Sequence, residues 1–120
     1  MKVYDVNAIR EHLGTLSERK NESLGRYDGS NLGIGRYVAG TSPWECHSNG
    51  DELFWVTGGE LEIEVLGEDG SSERFTIGDG SLFVVPSGRW HQLTARAPVT
   101  VLYASPAEEG AERTRKHPFG

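Results

Sequence analysis

The chain has little of what several specialised classes of protein require. A single cysteine, Cys46, leaves no partner for an internal disulfide bond. The longest apolar runs, 53–56 and 82–85, are far shorter than the roughly 20 residues that span a bilayer. The first residues lack the apolar stretch of a secretory signal. We therefore expect one cytoplasmic domain of 120 residues with no membrane partner.

Positive charge is also scarce. Twelve Lys and Arg residues stand against eighteen Asp and Glu residues, which gives a net charge of −6 at pH 7. Between residues 41 and 80 there are ten acidic residues and one basic residue, Arg74. Such a chain repels a phosphate backbone unless its basic residues gather on one face, and they do not gather in the sequence. We expect no nucleic-acid partner.

The N-terminal segment is the best helix candidate. The pattern predicts one short helix within 1–20, with Asp5 or Asn7 as its N-cap. The polar residues 21–31 are predicted to form a loop. Apolar residues recur at helical spacing and form one face of the predicted helix, which consists of Val6, Ile9, Leu13 and Leu16.

After residue 31 the apolar pattern changes to a period of two, which is typical of β-strands. In 60–65 apolar residues alternate with glutamates, as in a strand with one face in water. Gly58-Gly59 is a two-residue hairpin signal. The pattern predicts an all-β sandwich or barrel over 32–105, followed by a polar tail over 106–120. The predicted strands are 32–38, 44–47, 52–57, 60–66, 72–77, 81–85, 90–95 and 99–105.

Some side chains in this predicted sheet are of the types that bind metals. Successive strand residues face opposite sides, so Glu45 and His47 share a face. Glu52 opens the next strand, where it can pair back, and His91 lies on a later one. Two imidazoles and one carboxylate bind Fe(II), Mn, Ni or Zn and leave positions open for a substrate or dioxygen. His47, Glu52 and His91 therefore form a candidate site for one divalent transition metal.

The segment around His91 resembles the second sequence motif of the cupin family. That motif has the form G-x5-P-x-G-x2-H-x3-N, and the matching segment is GSLFVVPSGRWHQLTA. Gly80, Pro86, Gly88 and His91 stand at the family spacings, and Ala95 replaces the usual Asn.

The segment around His47 resembles the first cupin motif, G-x5-H-x-H-x3-4-E-x6-G, in part. In ECHSNGDELFWVTGG the residues His47, Glu52 and Gly59 are correctly placed. Glu45 occupies the position of the first His, and the leading glycine, Gly40, is one residue away from its usual position.

The resemblance implies a double-stranded β-helix, which is a conical jelly-roll barrel, usually dimeric, with one metal inside. It implies His47, Glu52 and His91 as metal ligands. Glu45 is then a fourth ligand, a catalytic base or a residue that only supports the ligands. Cupins include dioxygenases, isomerases, decarboxylases and cyclases. We therefore expect a metal-dependent oxygenase, isomerase or lyase that acts on a small molecule, and the alternative is a non-enzymatic module that binds a metal or small ligand.

Two further residues are candidates for the substrate pocket. Phe54 shares strand parity with Glu52 and is expected to line the interior of the barrel. Arg36 would suggest an anionic substrate if its face of the strand is the interior. The alternative inward face is that of Gly33, Gly35 and Tyr37, which would leave Arg36 outside.

Overall fold

A computed structural model describes all 120 residues as two antiparallel β-sheets with one short helix outside them. The helix, α1, covers Val6–Gly14, and a 3-10 turn covers Glu108–Gly110. The strands are β1 (Lys20–Tyr27), β2 (Ser30–Tyr37), β3 (Gly40–Thr41), β4 (Trp44–His47), β5 (Glu52–Gly58), β6 (Glu60–Leu66), β7 (Ser72–Gly78), β8 (Leu82–Val85), β9 (His91–Ala95), β10 (Val99–Pro106) and β11 (Ala111–Thr114).

The two sheets face each other across one apolar core. The first sheet has the strand order β1-β2-β10-β5-β8, and the second has the order β11-β4-β9-β6-β7, with β3 added to β9. Neighbouring strands are antiparallel throughout. This architecture confirms the predicted all-β jelly-roll class with one N-terminal helix. The buried core consists of Phe54, Val56, Leu61, Ile63, Ile77, Val85, Ala95, Val99 and Val101.

The helix α1 is shorter than the segment 1–20 in which it was predicted. Asp5 fixes its start, because the Asp5 side chain accepts a hydrogen bond from the Ala8 backbone amide at 3.1 Å. The helix covers the outer face of the first sheet, where Leu13 packs against Leu24 and Ile34 in a second, smaller core. No helix of the structure combines the length and the apolar character needed to cross a membrane.

The prediction of a loop over 21–31 is wrong, because this segment contains most of β1 and the start of β2. The two strands form a hairpin through Asp28 and Gly29, whose φ angles are 47° and 81°. An Asp-Gly pair with positive φ at both residues is typical of a two-residue hairpin. Strand β1 lies at the edge of its sheet, and only Leu24 is buried, so it lacks the apolar alternation that marks a strand.

The hairpin predicted at Gly58-Gly59 is also wrong. Strand β5 pairs with β10 and β8, whereas β6 pairs with β7 and β9 in the other sheet. The two glycines therefore form a corner at which the chain passes from one sheet to the other. Gly59 has φ +99°, and a Cβ atom there would lie 3.2 Å from the Pro98 carbonyl oxygen. Both features favour glycine at this position.

The segment 106–120, predicted to be a polar tail, contains a further strand. Its strand β11 pairs with β4, so that Ala111 lies beside His47 and Arg113 beside Glu45. Ser48 anchors the segment further, because its backbone amide and its hydroxyl both donate to the Gly110 carbonyl at 3.1 Å. The C-terminal strand therefore forms one side of the region that contains the candidate metal ligands.

Candidate metal centre

Three strands bring the four predicted metal ligands together. Glu45 and His47 lie on β4, Glu52 begins β5 and His91 begins β9. Glu45 and His91 are directly paired across β4 and β9. One ligating atom from each residue lies within 4.8 Å of the others. Atoms bound to one metal ion lie at most about 4.4 Å apart when each is about 2.2 Å from it, so the cluster could hold one ion after closing by a few tenths of an ångström.

His47 lacks the partners that a buried imidazole normally has. Its side chain is 4% exposed, and neither ring nitrogen has a hydrogen bond. The Nε2 atom lies 3.5 Å from Glu45 Oε2 and 3.5 Å from Glu52 Oε1. Buried polar atoms without partners are rare, because each loses its hydration without compensation. The two carboxylates are too far away to form hydrogen bonds with Nε2, and a cation among these three side chains would give it a closer partner, so the donor set fits a metal.

The two nearby carboxylates also control the charge of His47 when no metal is bound. Glu45, followed by Glu52, raises the pKa of His47 to about 9 and outweighs burial, which acts to lower it. Burial acts to raise the pKa of Glu52, but the His47 and His91 imidazoles lower it to about 2. The metal-free site is therefore held together by ion pairs, and a metal would have to displace the His47 proton.

His91 is oriented by its backbone surroundings. Its Nδ1 atom lies 3.2 Å from the Arg89 carbonyl oxygen, which can only accept a hydrogen bond. The backbone thus holds the ring through Nδ1, and Nε2 lies 2.8 Å from Glu52 Oε1. The other oxygen of Glu52 accepts a hydrogen bond from the Ser105 hydroxyl. This is the arrangement in which a histidine presents Nε2 to a metal while its other nitrogen is held by the protein.

Hydrogen bonds join the end of β4, which carries His47, to the loop that precedes His91. The Gly88 amide donates to the His47 carbonyl at 2.7 Å, and the Ser87 hydroxyl donates to the same oxygen at 3.1 Å. The Ser87 amide donates to Asp51 Oδ1 at 2.8 Å. Gly88 adopts φ +82°, which suits glycine. These bonds fix the distance between the two segments in which the sequence motifs were recognised.

Glu45 differs from the other three residues in its exposure and its partners. Its side chain is 25% exposed, and its Oε1 accepts a hydrogen bond from Arg113 Nε at 3.1 Å. Contact with His47, supported by Arg113, keeps the pKa of Glu45 below its usual value despite partial burial. The side chain is thus an ionised carboxylate at the edge of the cluster, with one oxygen toward His47 and the other toward Arg113.

The cluster borders a cavity of about 410 Å³ between the two sheets, hereafter the cavity. Glu45 and Glu52 line it, and Phe54 does so as predicted, with its ring centre 6.2 Å from the His91 ring centre. Much of the rest is apolar, which favours exclusion of water from a bound molecule. The apolar part includes Leu61, Leu93 and Ala95.

The structure places Arg36 outside the cavity, so its assignment to the substrate pocket is corrected. Arg36 Nε donates to the Leu16 carbonyl at 3.1 Å, and Nη1 donates to the Thr100 hydroxyl at 3.2 Å. The apolar face that Arg36 shares with Ile34 is covered by α1 and not by the barrel interior. Tyr37, on the opposite face of β2, lines the cavity instead.

Sequence reasoning did not assign several residues that line the cavity. Burial raises the pKa of the Tyr37 phenol to about 12, so the phenol stays protonated at neutral pH. The Tyr103 hydroxyl donates to Asn21 Oδ1 at 2.7 Å. Gly33 makes room for Tyr103, because a Cβ atom there would overlap its hydroxyl oxygen. Tyr37 belongs to the alternative inward face of β2 that the sequence offered, and the glycines of that face were the only signal for Tyr103. The unassigned residues also include three arginines, Arg19, Arg113 and Arg115.

The family model for the cupin domain matches residues 37–105, more than half of the chain. This chain belongs to the cupin family. The matched part contains all four residues of the candidate metal centre. Residues 1–36, which include α1, β1 and most of β2, lie outside it, as do residues 106–120, which include β11. Among curated proteins, none is similar enough in sequence to count as a relative.

Solved structures show the same fold at low sequence identity. A protein from Neisseria meningitidis aligns with a TM-score of 0.65 and 18% identity over 88% of this cupin and 100% of that chain. Hydroquinone 1,2-dioxygenase, in complex with Cd2+ and 4-hydroxybenzonitrile, aligns with a TM-score of 0.63 and 20% identity over 82% of this cupin and 71% of that chain. Oxalate oxidase aligns with a TM-score of 0.62 and 19% identity over 82% of this cupin, which spans 56% of the oxidase chain.

Proposed function

We propose that this cupin is a metal-dependent enzyme of the oxygenase, isomerase or lyase type that acts on a small organic molecule. The observation that carries the proposal is the buried His47 imidazole, which has no hydrogen-bond partner and lies beside three other metal-ligating residues at an accessible cavity. A divalent Fe, Mn, Ni or Zn ion bound there would supply Lewis-acid or dioxygen chemistry.

The protein's own residues support such a role. The Arg89 carbonyl holds the His91 ring so that Nε2 faces the cluster. Phe54 and its apolar neighbours give the cavity an apolar part that the carbon skeleton of a small molecule can contact. The Tyr37 phenol keeps its proton and can donate a hydrogen bond to a substrate oxygen. Glu45 is ionised and close to the ligands, so it can act as a fourth ligand or as a base.

Two structural neighbours add support of a more general kind. By their names, one is an oxalate oxidase and the other a hydroquinone 1,2-dioxygenase, and the latter was solved with Cd2+. Both names describe reactions of small organic molecules. At 19% and 20% identity the likeness shows the fold alone, so the reaction and substrate of this cupin are inferred from its own residues.

The proposal is tested by elemental analysis of the protein purified without added metal or a chelating resin. We expect about one transition-metal ion per chain, with most of it lost in His91→Ala and in His47→Ala. The matched control is His12→Ala, because His12 lies on the exposed side of α1. Equal metal content in His12→Ala and His91→Ala would refute the site. So would the absence of any metal from the purified wild-type protein, together with its failure to bind Fe(II) and Mn(II) under anaerobic conditions.

A second assay separates an enzyme from a binding module. The metal-loaded protein is incubated with small acids and phenols while dioxygen consumption and product formation are followed. Turnover that disappears in His91→Ala supports the enzyme. A tightly bound metal without turnover of any compound favours the non-enzymatic module instead.

A further inference from the structure

The positive charges that line the cavity come from outside the family-matched segment. Residues 37–105 contain ten acidic residues and three basic ones, Arg74, Arg89 and Arg96, and none of these three lines the cavity. The cavity is instead lined by Arg19, which precedes β1, and by two arginines at the C-terminal strand, Arg113 and Arg115. The segments that flank the family core therefore determine the charge of the cavity wall.

We propose that the substrate carries a carboxylate group, which Arg19 and Arg115 bind at the wall of the cavity. This inference rests on the proposed function, because it concerns the molecule that would reach the metal centre. It assigns substrate specificity to the two ends of the chain, whereas the metal ligands lie in residues 37–105, which the family model matches.

Arg19 and Arg115 have hydrogen-bond donors to spare. The salt bridges of the chain involve Arg74, Arg96 and Arg113, but neither Arg19 nor Arg115. The Arg19 guanidinium lies 5.6 Å from the centre of the Tyr37 ring. Arg115 Nη1 donates to the Thr41 carbonyl at 3.2 Å, which uses one of its five N–H groups. Guanidinium groups with free N–H donors match the planar geometry of a carboxylate.

Arg113 has a different role, because its charge is already compensated. Its Nε lies 3.1 Å from Glu45, and its Nη2 lies 2.7 Å from Glu108. This pairing offsets the negative charge of Glu45 on the cavity wall. Glu52, the other carboxylate of the wall, accepts a hydrogen bond from the Ser105 hydroxyl. An entering anion therefore meets two arginines without ion-pair partners, on a wall whose Glu45 carboxylate is already paired with Arg113.

The C-terminal arginines are held in place by the fold. Strand β11 pairs with β4, and Asn49 Nδ2 donates to the Ala107 carbonyl at 2.9 Å. Ser48 holds the Gly110 carbonyl from the other side of the same loop. Because this segment is attached next to His47, Arg115 is presented to the cavity at little further cost in conformational entropy on binding.

The test measures binding of benzoate and malonate, with the neutral amides benzamide and malonamide as matched probes, by isothermal titration calorimetry. The metal content of every sample is determined in parallel. We expect the acids to bind at least tenfold more tightly than the amides. Arg19→Gln and Arg115→Gln should each weaken binding of the acids about tenfold, since each removes charge-assisted hydrogen bonds. The matched control is Arg74→Gln, because Arg74 is 81% exposed and does not line the cavity.

The proposal is overturned if the amides bind as well as the acids, or if neither acid binds the wild-type protein. It is also overturned if Arg74→Gln weakens binding as much as the two cavity variants do. Normal metal content with unchanged acid binding in Arg19→Gln and Arg115→Gln refutes this inference and leaves the metal site intact. Absence of metal from the wild-type protein refutes the proposed function, and the same comparison of variants then decides the carboxylate site on the metal-free chain. Thermal melts confirm that each variant is folded.

Discussion

The free energy of unfolding of the metal-free protein should fall as the pH rises from about 6 to about 10, because His47 loses its proton in this range. The pKa of His47 is about 9 in the folded chain, against 6.5 for an ordinary histidine side chain. Its proton is therefore bound more tightly in the folded state than in the unfolded state. A raised histidine pKa contributes stability that is complete below 6.5 and is lost as the pH rises through 9.

The size of the effect follows from the shift. A difference of one pKa unit is worth about 1.4 kcal/mol, so a shift from 6.5 to about 9 corresponds to about 3 kcal/mol. His47 is 4% exposed, so solvent screens its ion pairs only weakly. Glu52 is the partner of His47 in this ion pair, and its low pKa reflects the same interaction, measured by the titration of the carboxylate at acidic pH. The two shifts are therefore not added together.

The assay is urea unfolding of chelator-treated protein at several pH values, with His47→Asn as the control. Other groups titrate in this range, and the difference between wild type and variant isolates the contribution of His47. We expect the wild type to lose about 3 kcal/mol more than the variant between about pH 6 and about pH 10. The same pH dependence in both proteins would refute the ion-pair account of the metal-free site.

Three further predictions concern the core, Glu45 and assembly. Ile63 is 0% exposed in the core, so Ile63→Ala should cost about 3 kcal/mol in urea unfolding, and a loss below about 1 kcal/mol would contradict the packing described. Glu45→Gln should lower metal occupancy in elemental analysis less than His47→Ala does, because Glu45 is more exposed and shared with Arg113; equal losses would make Glu45 an obligatory ligand. The homodimer implied by the family resemblance stays a prediction, and sedimentation should give twice the chain mass of 13.2 kDa, whereas a single-chain mass would contradict it.

Strand parity and motif spacing predicted how the candidate ligands come together. The alternation of faces correctly placed Glu45 and His47 on one side of β4, and it placed Phe54 in the cavity. These predictions depend on local geometry with a period of two, which a single sequence carries. The same is true of β6, where Leu61 and Ile63 are buried between glutamates.

The prediction for Arg36 failed because an apolar strand face does not reveal which layer covers it. Arg36 and Ile34 share an apolar face as expected, but α1 covers that face from outside the barrel. The glycines on the other face of β2 gave no apolar signal, although they make room for Tyr37 and Tyr103 on the cavity side. When both faces of a strand are buried, parity alone does not identify the interior.

The chain ends were beyond the reach of pattern analysis for a different reason. Strand β1 is mostly exposed, and β11 has no buried residue, so neither shows an alternating apolar pattern. The pairing of β11 with β4 joins residues more than 60 positions apart, and nothing in the local sequence encodes it. The arginines of the cavity wall were missed because their position depends on this long-range pairing.

The central claim, that Glu45, His47, Glu52 and His91 surround one metal ion, is tested most directly by anomalous X-ray scattering. Crystals of the metal-loaded protein would be measured above and below the absorption edge of the metal that elemental analysis identifies. The account predicts one anomalous peak per chain, about 2.0 to 2.2 Å from the ligating nitrogens of His47 and His91 and from a Glu52 oxygen. A peak elsewhere in the chain, or none in crystals that contain the metal, would contradict it.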